Sequence, residues 1–175
     1  MSPKIAGRTV AHVRLLLTAD THVPVRARDL PAELWRAIDT ADVVVHAGDW
    51  VTEDLFDAVA ARAKLLIGVC GNNDGPPLRA RLPEVAHAEL DGLRIAVVHE
   101  TGPAAGRENR CAGRFPDHDL LVFGHSHIPW DSVAPNGLRL LNPGSPTDRR
   151  RQPRATYQIV EIADGRLTAV TLHPV

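Results

Sequence analysis

Short polar runs follow apolar, strand-like segments at five places in this chain, and this repeated placement constrains how it can fold. The runs are DTH at 20–22, GD at 48–49, GNND at 71–74, the single His99, and GHSH at 124–127. The carboxyl ends of parallel strands in an α/β sheet meet along one crevice, so five such ends can deliver their side chains to a common site. The pattern therefore predicts one polar site built from segments that are far apart in sequence.

The side chains in these runs are carboxylates, a carboxamide and imidazoles, which suit borderline divalent ions such as manganese, iron, zinc or nickel. The seven candidate ligands are Asp20, His22, Asp49, Asn72, His99, His125 and His127. Seven ligands are too many for one tetrahedral zinc ion, and they match two ions that share a carboxylate. The sequence thus points to a hydrolase that uses two metal ions.

Each run taken alone has an ordinary explanation, because Gly-Asp and Gly-Asn-Asn-Asp are common turn sequences and Asp-x-His is usually a solvated loop. The GHSH run is more specific, since two imidazoles seldom share one turn without a function. His46 lies inside an apolar strand and is predicted to be a hydrogen-bonded core residue. The remaining histidines are predicted to be surface or packing residues, namely His12, His87, His118 and His173.

The length of 175 residues suits a single domain over residues 1–175 with a substantial core. Residues 1–12 carry no clear hydrophobic period and are predicted to form a loose N-terminal tail. The net charge of −1 offers no field to attract nucleic acid or an anionic membrane, so neither is favoured as a partner.

The expected location is the cytoplasm. No apolar stretch approaches the length of a transmembrane helix, and the N-terminal residues lack the pattern of a signal peptide. The two cysteines, Cys70 and Cys111, match no zinc-finger spacing and indicate a reducing compartment.

The first half of the chain alternates strand and helix patterns. Strands are predicted at 13–19, 43–47 and 65–70, and helices at 29–39 and 52–63. Thr52 is the predicted N-cap of the second helix, with acidic residues in the first turn after it. This order implies parallel strands joined by right-handed crossovers.

The second half carries hairpin signals. Asp-Gly or Asn-Gly pairs at 91–92, 136–137 and 164–165 each separate two strand-like runs, and such pairs supply the positive φ angles of tight turns. Antiparallel hairpins that follow parallel units predict an α/β fold of two mixed β-sheets packed face to face, with helices outside.

The order Asp-x-His, Gly-Asp, Gly-Asn, His and Gly-His-x-His resembles the calcineurin-like metallophosphoesterase family, over nearly the whole chain from Leu15 to Leu172. The compact size, the NPGS run at 142–145 and the ATYQIVEI run at 155–162 look like its small bacterial and archaeal phosphodiesterase branch. That branch is related to a scaffold subunit of the eukaryotic retromer coat. The resemblance implies an α/β/β/α sandwich and a phosphoesterase activity.

The resemblance also assigns the ligands residue by residue. One ion would be held by Asp20, His22 and His127, and the other by Asn72, His99 and His125, with Asp49 bridging the two. Manganese is the preferred metal, with iron, nickel or zinc as alternatives. The implied reaction is in-line attack on phosphorus by a water or hydroxide that bridges the ions. Because imidazoles must be neutral to bind metal, activity should fall at low pH.

Two positions depart from the family pattern. Many members read GNHE, whose histidine is thought to protonate the leaving group, but here Asn73 and Asp74 stand at those positions. Asn73 is predicted to donate a hydrogen bond to phosphate, so the predicted catalytic set is Asp49, Asn72 and Asn73. Glu100 follows His99 where glycine is usual, and it could join the second ion, orient His99 or face solvent.

The predicted function is phosphodiester hydrolysis, with phosphomonoester or nucleotide hydrolysis second and a non-catalytic scaffold third. The predicted partner is a small phosphate ester, and a homo-oligomer is left open. Two groups of arginines either reach the substrate or are simply solvated, namely Arg107, Arg110 and Arg114, and the run Arg149, Arg150 and Arg151.

Overall fold

Two five-stranded mixed β-sheets face each other in the computed structural model, which describes residues 12–175. The strands are β1 His12–Thr18, β2 Val43–His46, β3 Leu66–Gly68, β4 Val85–Leu90, β5 Leu93–Val98, β6 Leu120–Val122, β7 Trp130–Val133, β8 Arg139–Asn142, β9 Thr156–Ala163 and β10 Arg166–Pro174. The helices are α1 Ala32–Thr40, α2 Glu53–Arg62, α3 Pro76–Arg81 and α4 Arg107–Arg114. The predicted fold class is confirmed.

Each sheet contains three parallel strands that lead towards the polar runs. The first sheet has the order β10-β9-β1-β2-β3 and the second has the order β4-β5-β6-β8-β7. In the first sheet β1, β2 and β3 are parallel, with Leu16 opposite Val44, and in the second β5, β6 and β8 are parallel, with Leu121 opposite Leu140. All five polar runs follow the carboxyl ends of strands in this parallel set.

The hairpins form where the turn pairs predict them. Asp91-Gly92 joins β4 to β5 and Asp164-Gly165 joins β9 to β10, and all four of these residues have positive φ. The third hairpin, β7–β8, turns at Gly137, whose φ is +92°. These turns give each sheet antiparallel strands, which makes both sheets mixed.

The apolar side chains form three buried layers. The middle layer lies between the two sheets, with Leu17 and Val45 from the first sheet and Ile95 and Leu120 from the second. A second layer packs α1, α2 and α3 against the outer face of the first sheet, and a third packs α4 against the outer face of the second. Burial of these three layers is the main term that stabilises the fold.

The observed elements differ from the predicted ones at several boundaries. The strand predicted to end at residue 70 ends at Gly68, because the amide of Cys70 donates to Pro83 instead of to the neighbouring strand. The Thr52 cap is confirmed, since its hydroxyl accepts a hydrogen bond from the amide of Leu55. No helix was predicted at the position of α3. The predicted tail lies outside the described residues except for His12, which begins β1.

We expect Leu17→Ala to lower the free energy of unfolding by about 2–5 kcal/mol, because it leaves a cavity between the two sheets. Leu17 is fully buried, whereas Leu172 on β10 is 45% exposed and provides a matched control. Urea denaturation measures the free energy of unfolding of both variants. A loss below about 1 kcal/mol for Leu17→Ala, or equal losses for the two variants, would contradict this assignment of the core.

Candidate metal centre

All seven predicted ligand residues meet at one end of the two sheets. Asp20 and His22 follow β1, Asp49 follows β2, Asn72 follows β3, His99 follows β5, and His125 and His127 follow β6. The two sheets therefore contribute to one site, although these residues span 108 positions from 20 to 127. This convergence follows from the shared direction of the parallel strands.

The backbone at this site is strained in a repeated way. Five of the seven residues have a positive φ, between 44° and 70°, and they are Asp20, His22, Asp49, His125 and His127. None of these five is a glycine, and L-residues rarely adopt this conformation because Cβ meets the backbone. Backbone strain of this kind collects at functional sites, where the surrounding structure maintains it.

The first predicted ligand set is compact and buried. The ligand atoms of Asp20, His22 and His127 all lie within 4.8 Å of one another. His22 Nε2 is 3.2 Å from His127 Nε2, and His127 Nε2 is 3.6 Å from Asp20 Oδ1. A carboxylate and two imidazoles directed at one point form the donor set of a transition-metal site.

The second predicted set meets at the side chain of Asn72. Its Oδ1 lies 2.9 Å from His99 Nε2 and 2.9 Å from His125 Nδ1. Asn72 is exposed and His125 is partly exposed, and the backbone amide of His125 donates to Asp20 Oδ1 at 3.1 Å. That hydrogen bond links the second set to the first.

Asp49 lies between the two sets. Its Oδ2 is 3.5 Å from His22 Nε2 on one side and 3.4 Å from His99 Nε2 on the other. Asn73 holds the carboxylate from behind, donating from its backbone amide to Oδ1 at 2.8 Å and from its side-chain amide to Oδ2 at 2.7 Å. The carboxylate is therefore fixed in position and faces both sets at once.

Backbone carbonyls orient two of the imidazoles. The Nδ1–H of His99 donates to Ala47 O at 2.7 Å, and the Nδ1–H of His127 donates to Asp148 O at 2.8 Å. Each bond holds a proton on Nδ1 and directs Nε2 into the site.

Asp74 supports the site without belonging to either ligand set, and sequence reasoning missed this role. Its Oδ2 accepts hydrogen bonds from the amides of Asp49 at 3.1 Å and Gly71 at 2.7 Å, and its Oδ1 accepts one from Val51 at 2.8 Å. The carboxylate thus ties the loop after β2 to the loop after β3. The only sequence signal was an acidic residue at the end of the GNND turn.

The NPGS segment after β8 supports the loop that contains Asp20. The hydroxyl of Ser145 donates to Asp20 O at 2.8 Å, and Asn142 donates to Gly124 O at 2.9 Å. This run was noted in the sequence only as part of the family resemblance. Its function is to brace the turns before His125 and after β1.

Two glycines permit the loops to approach this closely. A Cβ on Gly124 would lie 2.9 Å from Asp20 Oδ2 and 3.0 Å from Ala47 O, and a Cβ on Gly71 would collide with the backbone and carboxylate of Asp49. Any side chain at either position would push a predicted ligand away.

Burial and hydrogen bonding act in opposite directions on the two carboxylates. Burial raises the pKa of Asp20 to about 7, a shift that the neighbouring Asp49 charge reinforces. Burial also acts to raise the pKa of Asp49, but hydrogen bonds from His99 and Asn73 outweigh it and hold that pKa below its usual value. Asp49 is therefore an anion at neutral pH, whereas at Asp20 burial outweighs the opposing charge of His99 and keeps the pKa high.

The imidazoles of the first set are neutral at pH 7. Burial lowers the pKa of His22 and lowers that of His127 to about 4. Burial also acts to lower the pKa of His99, but its hydrogen bond to Asp49 and the charges of Asp20 and Asp49 raise it overall. Neutral imidazoles have the free lone pairs that a metal ion requires.

The side chains present fit a divalent cation. Asp20 Oδ2 is fully buried and has no hydrogen-bond partner among the described residues, although buried carboxylate oxygens are normally satisfied. A cation bound to this oxygen would supply the missing partner and would favour the ionised carboxylate.

The other predicted residues lie in varied surroundings. Glu100 is exposed, and its Oε1 lies 3.9 Å from Nε2 of His125, so it is next to that imidazole and not positioned to orient His99. The guanidinium of Arg150 lies 3.5 Å from Ser126 O, at the rim beside the first set. His46 is buried and hydrogen-bonded to Thr21 Oγ1 at 3.0 Å, as predicted.

Arg107 and Arg110 are not directed at the ligand sets, and of the two only Arg107 is withdrawn from solvent, since Arg110 is exposed. Arg107 is buried, with its guanidinium 4.4 Å from the ring centre of Trp130 and 4.8 Å from that of Phe123. Arg110 donates to the carbonyls of the loop before α4, including Thr101 O at 2.8 Å. Both arginines therefore stabilise α4 and its preceding loop.

The sequence profile of the calcineurin-like phosphoesterase superfamily domain matches residues 13–165 of this chain. A probable metallophosphoesterase of Methanocaldococcus jannaschii is 33% identical over 132 residues, which are 74% of this chain and 66% of the relative. The chain belongs to the calcineurin-like phosphoesterase superfamily, and this membership supports a phosphoester hydrolase.

Solved structures share the fold. A Thermotoga maritima protein solved by NMR is 31% identical, with a TM-score of 0.74 over 93% of this chain and 99% of that protein. Vps29 of Entamoeba histolytica, crystallised with zinc, has a TM-score of 0.74 over 93% of this chain and 98% of Vps29. At 23% identity, the second likeness concerns the fold alone.

A search for membrane-spanning helices within residues 12–175 gives none that has the required length and apolar character.

We expect Asp74→Asn to lower the free energy of unfolding by about 2–4 kcal/mol and to weaken metal binding, although Asp74 is not a predicted ligand. Both of its oxygens accept backbone N–H groups, so an amide places one donor against another. Urea denaturation and manganese titration measure the two effects. Asp117→Asn, at an exposed position, is the control, and equal behaviour of the two variants would contradict the bracing role.

Proposed function

We propose that this chain is a phosphodiesterase that uses two divalent cations, and that a small phosphate ester is its substrate. The observation that carries the proposal is the position of Asp49, whose Oδ2 faces His22 on one side and His99 on the other. One carboxylate shared by two donor sets offsets the repulsion between two cations and fixes their spacing. Asp20, His22 and His127 would hold one ion, and Asn72, His99 and His125 the other.

Manganese is our first candidate for both ions, with iron, nickel or zinc as alternatives, because the donors combine carboxylate, amide and imidazole. Divalent ions in this site would lower the pKa of a bound water towards neutrality and neutralise charge on the phosphoryl oxygens.

The chain's own residues would position the ester. Asn73 uses one side-chain N–H to hold Asp49 Oδ2, which leaves its second N–H for a phosphoryl oxygen. This arrangement makes Asn73 both a positioning residue for Asp49 and a donor to substrate. The fixed Nδ1–H bonds of His99 and His127 keep their other nitrogens aimed inward throughout.

We assign a pocket beside the second set to the ester group of a diester that is not expelled. It has a volume of about 230 Å³ and is lined by residues that include Asn72 and His99. A diester has a second ester group that can occupy this space, whereas a monoester has none. Phosphomonoesters remain the second candidate class, and the substrate comparison below separates the two.

A non-catalytic scaffold would not need this site. The fold is shared with Vps29 proteins, and a scaffold that binds a protein partner is therefore our third candidate, but all seven predicted ligands are present together with the hydrogen bonds that orient His99 and His127. The cytoplasm stays the expected location, and the oligomeric state stays open.

We expect the wild-type protein to bind two manganese ions and Asp49→Asn to lose at least about 100-fold in phosphodiester turnover, because one shared carboxylate serves both ions. His125→Ala and His127→Ala should each remove mainly one ion. Mass spectrometry measures the metal content of each variant. Turnover of bis(p-nitrophenyl) phosphate, a diester, and of p-nitrophenyl phosphate, a monoester, measures activity and the preferred ester class.

His118→Ala is the control for these variants, because the His118 side chain is hydrogen-bonded to His87, away from both ligand sets, and its loss should leave metal content and turnover close to wild type. One ion per chain at saturation would overturn the shared-carboxylate site. Faster hydrolysis of the monoester than of the diester would overturn the assignment of substrate class.

We expect hydrolysis to depend steeply on the leaving group, with rates rising as the leaving-group pKa falls. No histidine stands at position 73, and a positioned general acid typically contributes about 10²–10⁴-fold. A series of aryl phosphodiesters measured under conditions where chemistry limits the rate tests this. Rates that do not vary across the series would show that another residue supplies the proton, and Glu100→Gln would then be the variant to assay.

We expect Asn73→His to give little recovery on poor leaving groups. Asp74 already accepts hydrogen bonds from three backbone amides, so it has little remaining capacity to orient an imidazole at position 73. The substitution also removes the side-chain hydrogen bond to Asp49. Recovery by 100-fold or more would show that an imidazole at position 73 is oriented well enough to protonate the leaving group.

A further inference from the structure

The three arginines of α4 have different surroundings, and only one of them reaches the candidate site. Arg107 is buried beneath Trp130, and Arg110 is bonded to the carbonyls of its own loop. Arg114, in the last turn of α4, lines the same pocket as Asn72 and His99. Its side chain is exposed and its guanidinium lies 5.0 Å from the ring centre of Phe115.

The other charged groups of this pocket already have neighbours. Arg79 donates to Gly71 O at 2.7 Å and Asp74 O at 2.8 Å, and its Nη1 lies 4.0 Å from Glu84 Oε1. Glu100 lies 3.9 Å from His125 Nε2. Among the described residues, the Arg114 side chain forms no ion pair within 4.0 Å and donates no hydrogen bond, so it is the charged group in this pocket that remains available to a ligand.

We propose that Arg114 is a specificity-determining residue that binds a second anionic group on the substrate, a carboxylate or a phosphate on the ester group that occupies this pocket. A guanidinium can donate two parallel hydrogen bonds to either anion, which gives both affinity and orientation. The rigid Arg79 beside it adds positive charge whose effect is reduced by Glu84. The substrate class is therefore a phosphodiester with an additional negative charge.

This inference rests on the proposed phosphodiesterase activity, and the test separates the two. Symmetric aryl diesters place the same substituent in the pocket whichever group is expelled. We therefore compare bis(3-carboxyphenyl), bis(3-phosphonophenyl) and bis(3-carbamoylphenyl) phosphate, which differ in substituent charge. The variants are Arg114→Gln and Arg114→Lys, with Arg166→Gln as a matched control at the start of β10 in the other sheet.

In Arg114→Gln we expect the kcat/KM ratio of an anionic diester to the carboxamide diester to fall about 10-fold, through KM. The loss of one charge-assisted hydrogen bond typically weakens binding by about 10-fold or more. Arg114→Lys should retain part of the preference for the anionic diesters over the carboxamide diester, and Arg166→Gln should retain all of it. A larger fall for the phosphono diester than for the carboxy diester would identify phosphate as the natural group, and the reverse would identify carboxylate.

An unchanged ratio in Arg114→Gln would overturn the role of Arg114 while leaving the phosphodiesterase intact. If the wild type hydrolyses none of the three diesters, the proposed phosphodiesterase activity is wrong. The role of Arg114 is then tested by the binding of the carboxy diester alone. Calorimetric titration of the carboxy diester into wild type and Arg114→Gln, with and without manganese, then measures affinity. Equal affinities would overturn the inference, and an affinity about 10-fold weaker in the variant would support it.

Discussion

The carboxylate of Asp49 is the group on which the candidate site depends. It lies between His22 and His99, accepts two hydrogen bonds from Asn73, and has its backbone amide held by Asp74. Removing its charge would leave imidazoles from both ligand sets facing each other without an anion between them. Because the loops after β2 and β3 are tied together through these bonds, its position also determines where Asn72 lies.

Holding this group in place has an energetic cost that the rest of the fold offsets. Two carboxylates are buried close together, and five of the seven predicted ligands have backbone angles that L-residues disfavour. Three apolar layers around and between the sheets stabilise the chain enough to maintain that strain. The site is thus built at the ends of rigid strands. Strands hold side chains in more precise positions than loops do, and a metal site requires that precision.

Much of the fold and the candidate site could be predicted because their signals are local. Apolar runs of strand length, the Thr52 cap and the Asp-Gly turns each depend on near neighbours in sequence, and the structure has all of them. The seven predicted ligands could be found for a related reason. Each stands just after a strand, and parallel strands in one sheet direct such positions to a single edge.

The contacts between distant segments could not be predicted. In the sequence Arg107, Arg110 and Arg114 look like similar residues on one short segment. In the structure Arg107 packs against Trp130, Arg110 is hydrogen-bonded to the loop before α4, and Arg114 lines a pocket. Asp74 looked like a turn residue, yet its carboxylate braces three backbone amides. The sequence by itself determined which chemical groups collect at the strand ends. Only the tertiary structure decided which of the surrounding side chains support them, because charge and burial there depend on residues brought together from separate parts of the chain.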